Sequence, residues 1–397
     1  MPLGIYISVP FCRTKCTYCN FVSDVFSRAI FERYVDRVCA DIANSPATAA
    51  EMGGASEEAV DSIYLGGGTP TMLDASQLQR LFQAVREQFS VQEGAEITVE
   101  CAPGTLTPDV LEGLLRCGVN RVSLGVQSFV DGEATAVGRR HSRAIVLDDI
   151  RHLRAAGIAN INVDLIAGLP HQTADSWHMS LSETVATGAP HVSVYMLEVD
   201  EDSRLGRELI AGGTRYHAHF VPDDDAMADF YIAACEKLDA AGIAQYEISN
   251  FARPGFESRH NHKYWTRQPY LGFGVDAHSM LASSAAGSEA VRFATADVLE
   301  KYVAGAPLQR TVVSSAAALE ENFFLGLRLT RGVDLQRIVE RFGEESLRNL
   351  RPMISELIAD GLMQQVGDNL RLTSRGRLLS NEVFQRFLDP ADVPGEL

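Results

Sequence analysis

No apolar run in this 397-residue chain approaches the about 18–20 residues that span a bilayer. The opening "MPLGIYISVPFC" lacks the basic segment, long apolar stretch and cleavage site of a secretory leader, so the expected location is cytoplasmic. Basic charge is also scarce. With 35 Lys and Arg against 52 Asp and Glu the net charge is −17, which argues against a grip on nucleic-acid phosphates. Paired cysteines are missing too. The count is seven, and Cys39, Cys101, Cys117 and Cys235 stand singly, as small buried apolar residues do. There is no low-complexity tract and no repeat beyond a strand–helix alternation. Hydrophobic residues make up 46% and charged residues 22%, enough to bury a sizeable core.

The alternation fills the first 200 residues. Short β-branched runs occur at "GIYISV" (4–9), "VDSIYL" (60–65), "EITVEC" (96–101), "RVSLGV" (121–126), "NINVDLI" (160–166) and "HVSVYML" (191–197). Helices with readable ends lie between them. Asp74 or Ser76 suits an N-cap before Leu78, Leu81, Phe82 and Val85. Thr107, Pro108 and Gly118 supply a cap, a first helical residue and a stop, and Gly157 is a second stop. Strands alternating with helices predict a parallel sheet, either a partial barrel of six units or a doubly wound sheet. In such folds chemistry gathers where strands end. The cysteine loop, "GGGTP" (66–70), Glu100, Gln127, Asp164 and Glu198 all fall there.

Residues 198–310 are less regular and hold "VPDDDAMADF" and the His-rich "SRHNHKYWTRQPYLGFG". From about 315 come helices, a hairpin turned by "GDN" and a last helix, the order of a winged-helix module. The expected division is 1–235, a connecting segment 236–310, and 311–397.

Cys12, Cys16 and Cys19 form C-x3-C-x2-C, three thiols within eight residues. Structural zinc wants four ligands, and no fourth Cys or His is near. A redox pair is usually C-x-x-C. Three thiolates on one loop suit a [4Fe–4S] cluster with one iron left open. This triplet after a first strand, with "GGGTP" after the second, resembles the radical S-adenosylmethionine (SAM) superfamily. The resemblance implies that SAM chelates the open iron and that an electron from the cluster can cleave it to methionine and a 5′-deoxyadenosyl radical. "YISVPFC", "GGGTPT", "GVQSF", "LGRRHS" and "DLIAGLP" narrow the likeness to the oxygen-independent coproporphyrinogen III oxidase-like group. It implies cluster ligation by Cys12, Cys16 and Cys19, and SAM contacts from Tyr6, Tyr18, Gly67, Gly68, Thr69, Glu100, Gln127, Arg139 and Asp164. Outside that frame, Gln127 and Arg139 read as ordinary rim polar residues.

Within the group, the oxidase carries a further cysteine two positions after the third and an N-terminal extension. Here that position is Phe21, and the first strand begins almost at once. "HNHKYW" (260–265) is similar to the HNxxYW mark of the heme chaperone HemW family. The likeness implies heme as cargo, His260 as its ligand, and Tyr264 and Trp265 as flat apolar faces, with His262 a weaker ligand candidate. A histidine between Asn and aromatics is equally a hydrogen-bonded structural residue. His278 carries no assigned role. Implied partners are heme-accepting apo-proteins, among them membrane-associated respiratory proteins. The alternative activity is oxidative decarboxylation of two propionates of coproporphyrinogen III. One or two SAM molecules, and a homodimer, stay open.

Overall fold

A computed structural model describes residues 1–285 and 287–388. Six parallel strands form the centre: β1 (Leu3–Val9), β2 (Ala59–Gly67), β3 (Ser90–Cys101), β4 (Arg121–Gln127), β5 (Asn160–Ala167) and β6 (His191–Met196). Each pairs with the next in sequence order. Five of them run within a residue or two of the expected bounds. β3 starts six residues early, because Ser90 and Val91 also pair with Ala59 and Val60.

The helices between the strands cover the outer face. Ile5, Ile7, Val9, Ile63, Leu65, Val99, Val122, Leu124, Ile161 and Val163 point to them and are buried. The alternate residues point to the other face and are polar: Tyr6, Tyr64, Glu100, Ser123, Asn162, Asp164 and Ser193. This is the period of two of a β-strand, with a greasy outer layer and a hydrogen-bonding interior. The expected caps are present. Asp74 accepts from the Ser76 and Gln77 backbone in a capping box. Thr107 caps the helix that opens at Pro108, and Gly118 and Gly157 take left-handed turns after their helices.

The sheet does not stop at β6. Asn250–Ala252 pairs antiparallel to β6, and Ala244–Gln245 pairs to it. On the other edge Tyr270–Phe273 lies parallel to β1. His278–Ser283, Ser288–Ala294 and Gln309–Ser314 follow as antiparallel strands. Among the described residues the two edges do not pair, so the sheet is an open arc. Residues 236–310 supply strands to both edges of the main sheet. Their strands are mostly antiparallel and their helices short, so they show no regular strand–helix alternation.

The C-terminal module packs the helices Ser315–Gly326, Leu335–Phe342 and Glu344–Ala359 around their own core. A three-stranded sheet completes it, with the "GDN" turn between Met363–Val366 and Asn369–Leu372, in the winged-helix order. The residues after 388, within the expected third unit, lie outside the described set.

Candidate functional site

The rim formed by the C-terminal ends of β1 to β5 is built from two interlocked loops. The cysteine loop follows β1 and the glycine loop follows β2. Gly68 N–H donates to the Val9 carbonyl at 2.8 Å, and Thr69 N–H donates to the Phe11 carbonyl at 2.8 Å. A Cβ on Gly68 would lie 2.9 Å from Val9 O and 3.0 Å from both Phe11 O and Cys12 Sγ. Only glycine fits against backbone at those distances, so the two loops set each other's position. Gly67 has φ +100°, a second demand for glycine.

The three thiols each meet a different neighbour. Thr69 Oγ1 stands 3.9 Å from Cys12 Sγ, Arg139 Nη1 3.7 Å from Cys16 Sγ, and Ser23 Oγ 3.9 Å from Cys19 Sγ. Arg139 also donates to the Gly125 carbonyl. Burial works against its charge, but the neighbouring Tyr18 and Cys16 more than offset this and hold it protonated. Arg139 thus places a fixed positive charge beside Cys16. Tyr18 packs with Val137, Leu169, Leu197 and Leu205 at the edge of the loop.

Glu100 ends the inward row of β3. It accepts from Tyr64 Oη at 2.8 Å and Gly67 N–H at 3.2 Å. Burial pushes its carboxyl up to about 7, and the nearby Asp164 adds to this, while the Tyr64 and Gly67 bonds pull the other way. Asp164 accepts from Ser123 Oγ at 3.0 Å and Asn162 Nδ2 at 2.7 Å. Its carboxyl is also raised, chiefly by burial. Gln127 sits at a register shift in β4 with φ +68°, an unusual backbone for a residue with a side chain. Its buried Oε1 has no partner. Strain and an orphaned acceptor on the rim suit a ligand that supplies the donor.

These residues fit the cofactors that the sequence implies. Three thiols without a fourth match a cluster with one open iron. A buried carboxylate pair, an orphaned amide and a glycine cradle match an amino acid cation with a ribose diol. Tyr64 was not singled out in the sequence. Its period-two spacing from Gly66 places it on the inward face of β2.

The "HNHKYW" residues are elsewhere. Arg259–Trp265 is a short helix that closes the opposite end of the arc. The Glu96 carboxylate, low on β3, takes the Arg259 and His260 backbone N–H groups at 3.1 Å each and Ser258 Oγ at 3.3 Å. The His260 ring reaches up into the interior and stacks on Tyr64 at 5.4 Å. Its Nδ1 meets Ser62 Oγ at 3.0 Å and its Nε2 meets Tyr264 Oη at 2.9 Å. It is 1% exposed. Burial, with Lys263 and Arg121 nearby, holds it neutral, its pKa lowered to about 3.

In this conformation both His260 nitrogens have partners within the protein, Ser62 and Tyr264. Tyr264 is edge-on to Tyr270 at 4.7 Å, and the Trp265 face is covered by Arg328 at 4.4 Å. Lys263 is buried against Asp61 at 2.7 Å and the Pro2 carbonyl at 2.8 Å. Gly4 leaves room for this helix, since a Cβ there would lie 2.7 Å from Lys263 Cδ. His262 is half-buried against Tyr246, and His278 is exposed beside Asp276.

With this geometry the comparisons are clear. Residues 6–183 match the Radical SAM superfamily and residues 313–379 the HemN C-terminal domain. The heme chaperone HemW of Bacillus subtilis is 35% identical, over 96% of this chain and 98% of its own. That of Lactococcus lactis is 32% identical over 98% and 97%. The chain belongs to the HemW family. The solved coproporphyrinogen III oxidase (HemN) of Escherichia coli has a TM-score of 0.82, covering 97% of this chain and 90% of that one. At 24% identity it shows the fold of this HemW family member and no more. Membership of the radical SAM superfamily implies a [4Fe–4S] cluster and SAM. Among the described residues no helix is long and apolar enough to cross a membrane.

Proposed function

We propose that this protein binds heme and passes it to acceptor proteins, with a [4Fe–4S] cluster and SAM at the rim. The observation that carries this reading is the end-to-end match, above 30% identity, to relatives named heme chaperones. Phe21 supports it. It stands where the oxidase resemblance calls for another cysteine and is 64% exposed, an apolar side chain turned outward beside the cluster loop. Heme-accepting apo-proteins, including membrane-associated respiratory proteins, are the proposed partners, and the cytoplasm the proposed location.

In this reading Cys12, Cys16 and Cys19 hold the cluster, which supplies an electron-transfer and SAM-binding iron when present. Arg139 keeps positive charge beside Cys16. Gly67, Gly68 and Thr69 let backbone approach the SAM amine. Glu100, ionised above about pH 7, faces that amine with Tyr64 orienting it. Gln127, Asp164, Tyr6 and Tyr18 complete the surround. The helix Arg259–Trp265 closes the base and takes no part in cargo binding.

The test is an anaerobic hemin titration of the cluster-reconstituted protein, followed at the Soret band. Saturation at one heme per chain is expected. Non-saturating uptake would remove the reading. The fold shared with the oxidase favours a second reading, decarboxylation of coproporphyrinogen III. Anaerobic incubation with that substrate, SAM and reductant decides it: no vinyl product is expected.

A further inference from the structure

Arg121 opens β4 on its inward face and is 2% exposed. An arginine buried this deeply is ordinarily held by a carboxylate that fills its fork of donors. Arg121 is not. Among the described residues the ion pairs with a buried member are Lys263–Asp61, Arg267–Glu321 and Arg292–Glu321, and Arg121 is in none of them. Its Nε has no hydrogen-bond partner. The residues beside it in the sheet are Thr98 on β3 and Asn160 on β5. Both are uncharged, and their Oγ1 and Oδ1 are unpartnered as well.

A buried charge without a contact partner persists where opposite charge lies within its field. The rim supplies two such charges. Ser123, the next inward residue of β4, stands opposite Glu100 in the sheet and donates to Asp164 at 3.0 Å. Arg121 therefore sits below both carboxylates, at the diagonal separation that long side chains reach across. Burial raises both carboxyls, and the Arg121 charge is among the effects that pull each back. The other titratable groups around Arg121 add no positive charge. Burial keeps the protons on Tyr64 of β2 and on Tyr246, just after Ala244–Gln245. His191 on β6 and His260 on the basal helix are neutral, chiefly through burial. Glu96, lower on β3, is spent on the three donors of the basal helix.

The charges then match the ligand. SAM carries an ammonium, a sulfonium and a carboxylate, a net single positive charge. Glu100, Asp164 and Arg121 together carry a net single negative charge. Two carboxylates alone in a dry interior would hold a proton between them instead. We propose that Arg121 is a positioning residue for SAM: without touching the ligand, its unpaired charge keeps Glu100 and Asp164 ionised, so that both meet the SAM cation as carboxylates. The inference rests on the SAM reading of the rim.

The test is equilibrium dialysis of SAM against the full, cluster-reconstituted chain across pH 6 to 9, beside an infrared titration of the SAM-free protein. The parent midpoint is expected at about 7. In Arg121→Gln it should move up by about one pH unit. SAM then binds about fivefold more weakly at pH 7 and converges on the parent as pH rises. Arg121→Lys, which keeps the charge, should keep the parent midpoint. In the infrared, the protonated-carboxyl band that Glu100→Gln removes should persist to higher pH in Arg121→Gln by the same shift. A parent midpoint in folded Arg121→Gln would overturn the proposal. An equal loss of affinity at every pH would also overturn it, since that marks direct contact with the SAM carboxylate. A shifted midpoint in Arg121→Lys would overturn it even if Arg121→Gln did not fold. A parent that binds no SAM would overturn the rim reading, and the infrared midpoints would still decide whether Arg121 governs the carboxyls.

Discussion

The two ends of the sheet use the same kinds of residue for opposite purposes. At the base, Glu96 receives three donors, His260 spends both ring nitrogens, and Lys263 meets Asp61 and the Pro2 carbonyl. At the rim, Gln127 keeps an orphaned acceptor on a left-handed backbone, and Glu100 is a carboxylate raised to about 7. Buried polar groups with complete partner sets hold structure together, while incomplete sets and strain mark places that expect a ligand. A glutamate occurs in both sets. The base is not complete either, since the buried Trp265 Nε1 has no partner; what separates the two ends is the strained Gln127 backbone beside the raised Glu100 carboxyl.

The comparison breaks most sharply at Gly68. Gly68→Ala forces a Cβ against two carbonyls and the Cys12 sulfur. Iron and sulfide content after reconstitution should fall to near that of Cys12→Ala, with the far-UV circular dichroism of the parent. Retention of a full cluster would mean that the loops are not interlocked as described.

His260→Ala is the counterpart at the base. Removing a buried ring with two hydrogen bonds should cost about 2–4 kcal/mol in denaturant unfolding. Cluster iron content should stay within about twofold, while SAM affinity should fall modestly, because the ring stacks on Tyr64, which holds Glu100. A lost cluster in a folded variant would join the two ends functionally.

Protonation sharpens the contrast. Below about pH 7 Glu100 becomes neutral and no longer attracts a cation. SAM affinity should fall as pH drops through 7, by at most about tenfold per pH unit for one proton, and should be flat in Glu100→Gln. Equilibrium dialysis across pH 6 to 8.5 reads this.

The base responds to pH through stability. His260 has its pKa lowered from 6.5 to about 3, chiefly by burial. The unfolded chain takes a proton near 6.5, and the folded one does not until near 3. Stability is therefore whole above about pH 6.5 and declines below it, by at most about 1.4 kcal/mol per pH unit for this group. His141, lowered to about 4 by burial, adds to the same trend. Urea midpoints at pH 7.5 and 5 should converge between parent and His260→Asn as pH falls, since the variant lacks one such proton.

The smallest effect lies where the C-terminal module meets the base. Arg328→Ala uncovers Trp265 and should cost about 0.5–1 kcal/mol. Tryptophan fluorescence should shift while cluster and SAM binding stay unchanged.

Much of the rim was legible in the sequence. The strand ends, the cysteine triplet, "GGGTP" and the inward carboxylates follow from periodicity and position, and Asp74 and Thr107 announced their helices. Three features were not legible. The strands after 236 lie mostly antiparallel, and the helices among them are only five to seven residues long, too short to show a helical period. The filling of both His260 nitrogens depends on Ser62, 198 residues away, as well as its neighbour Tyr264. The meeting of His171 with His217 spans 46 residues and needs the fold-back over the cysteine loop. Spacing carries what lies within one strand or one loop; partner sets between distant segments exist only once the chain has folded.

The most direct measurement compares anaerobic hemin titrations of cluster-reconstituted parent and His260→Asn, with the variant shown folded by circular dichroism. The account predicts saturation at one heme per chain in both, with the same Soret position, because the base holds the fold and the rim takes the cargo. A folded variant that loses saturable binding, or shifts the band, would place the iron at the base and contradict it.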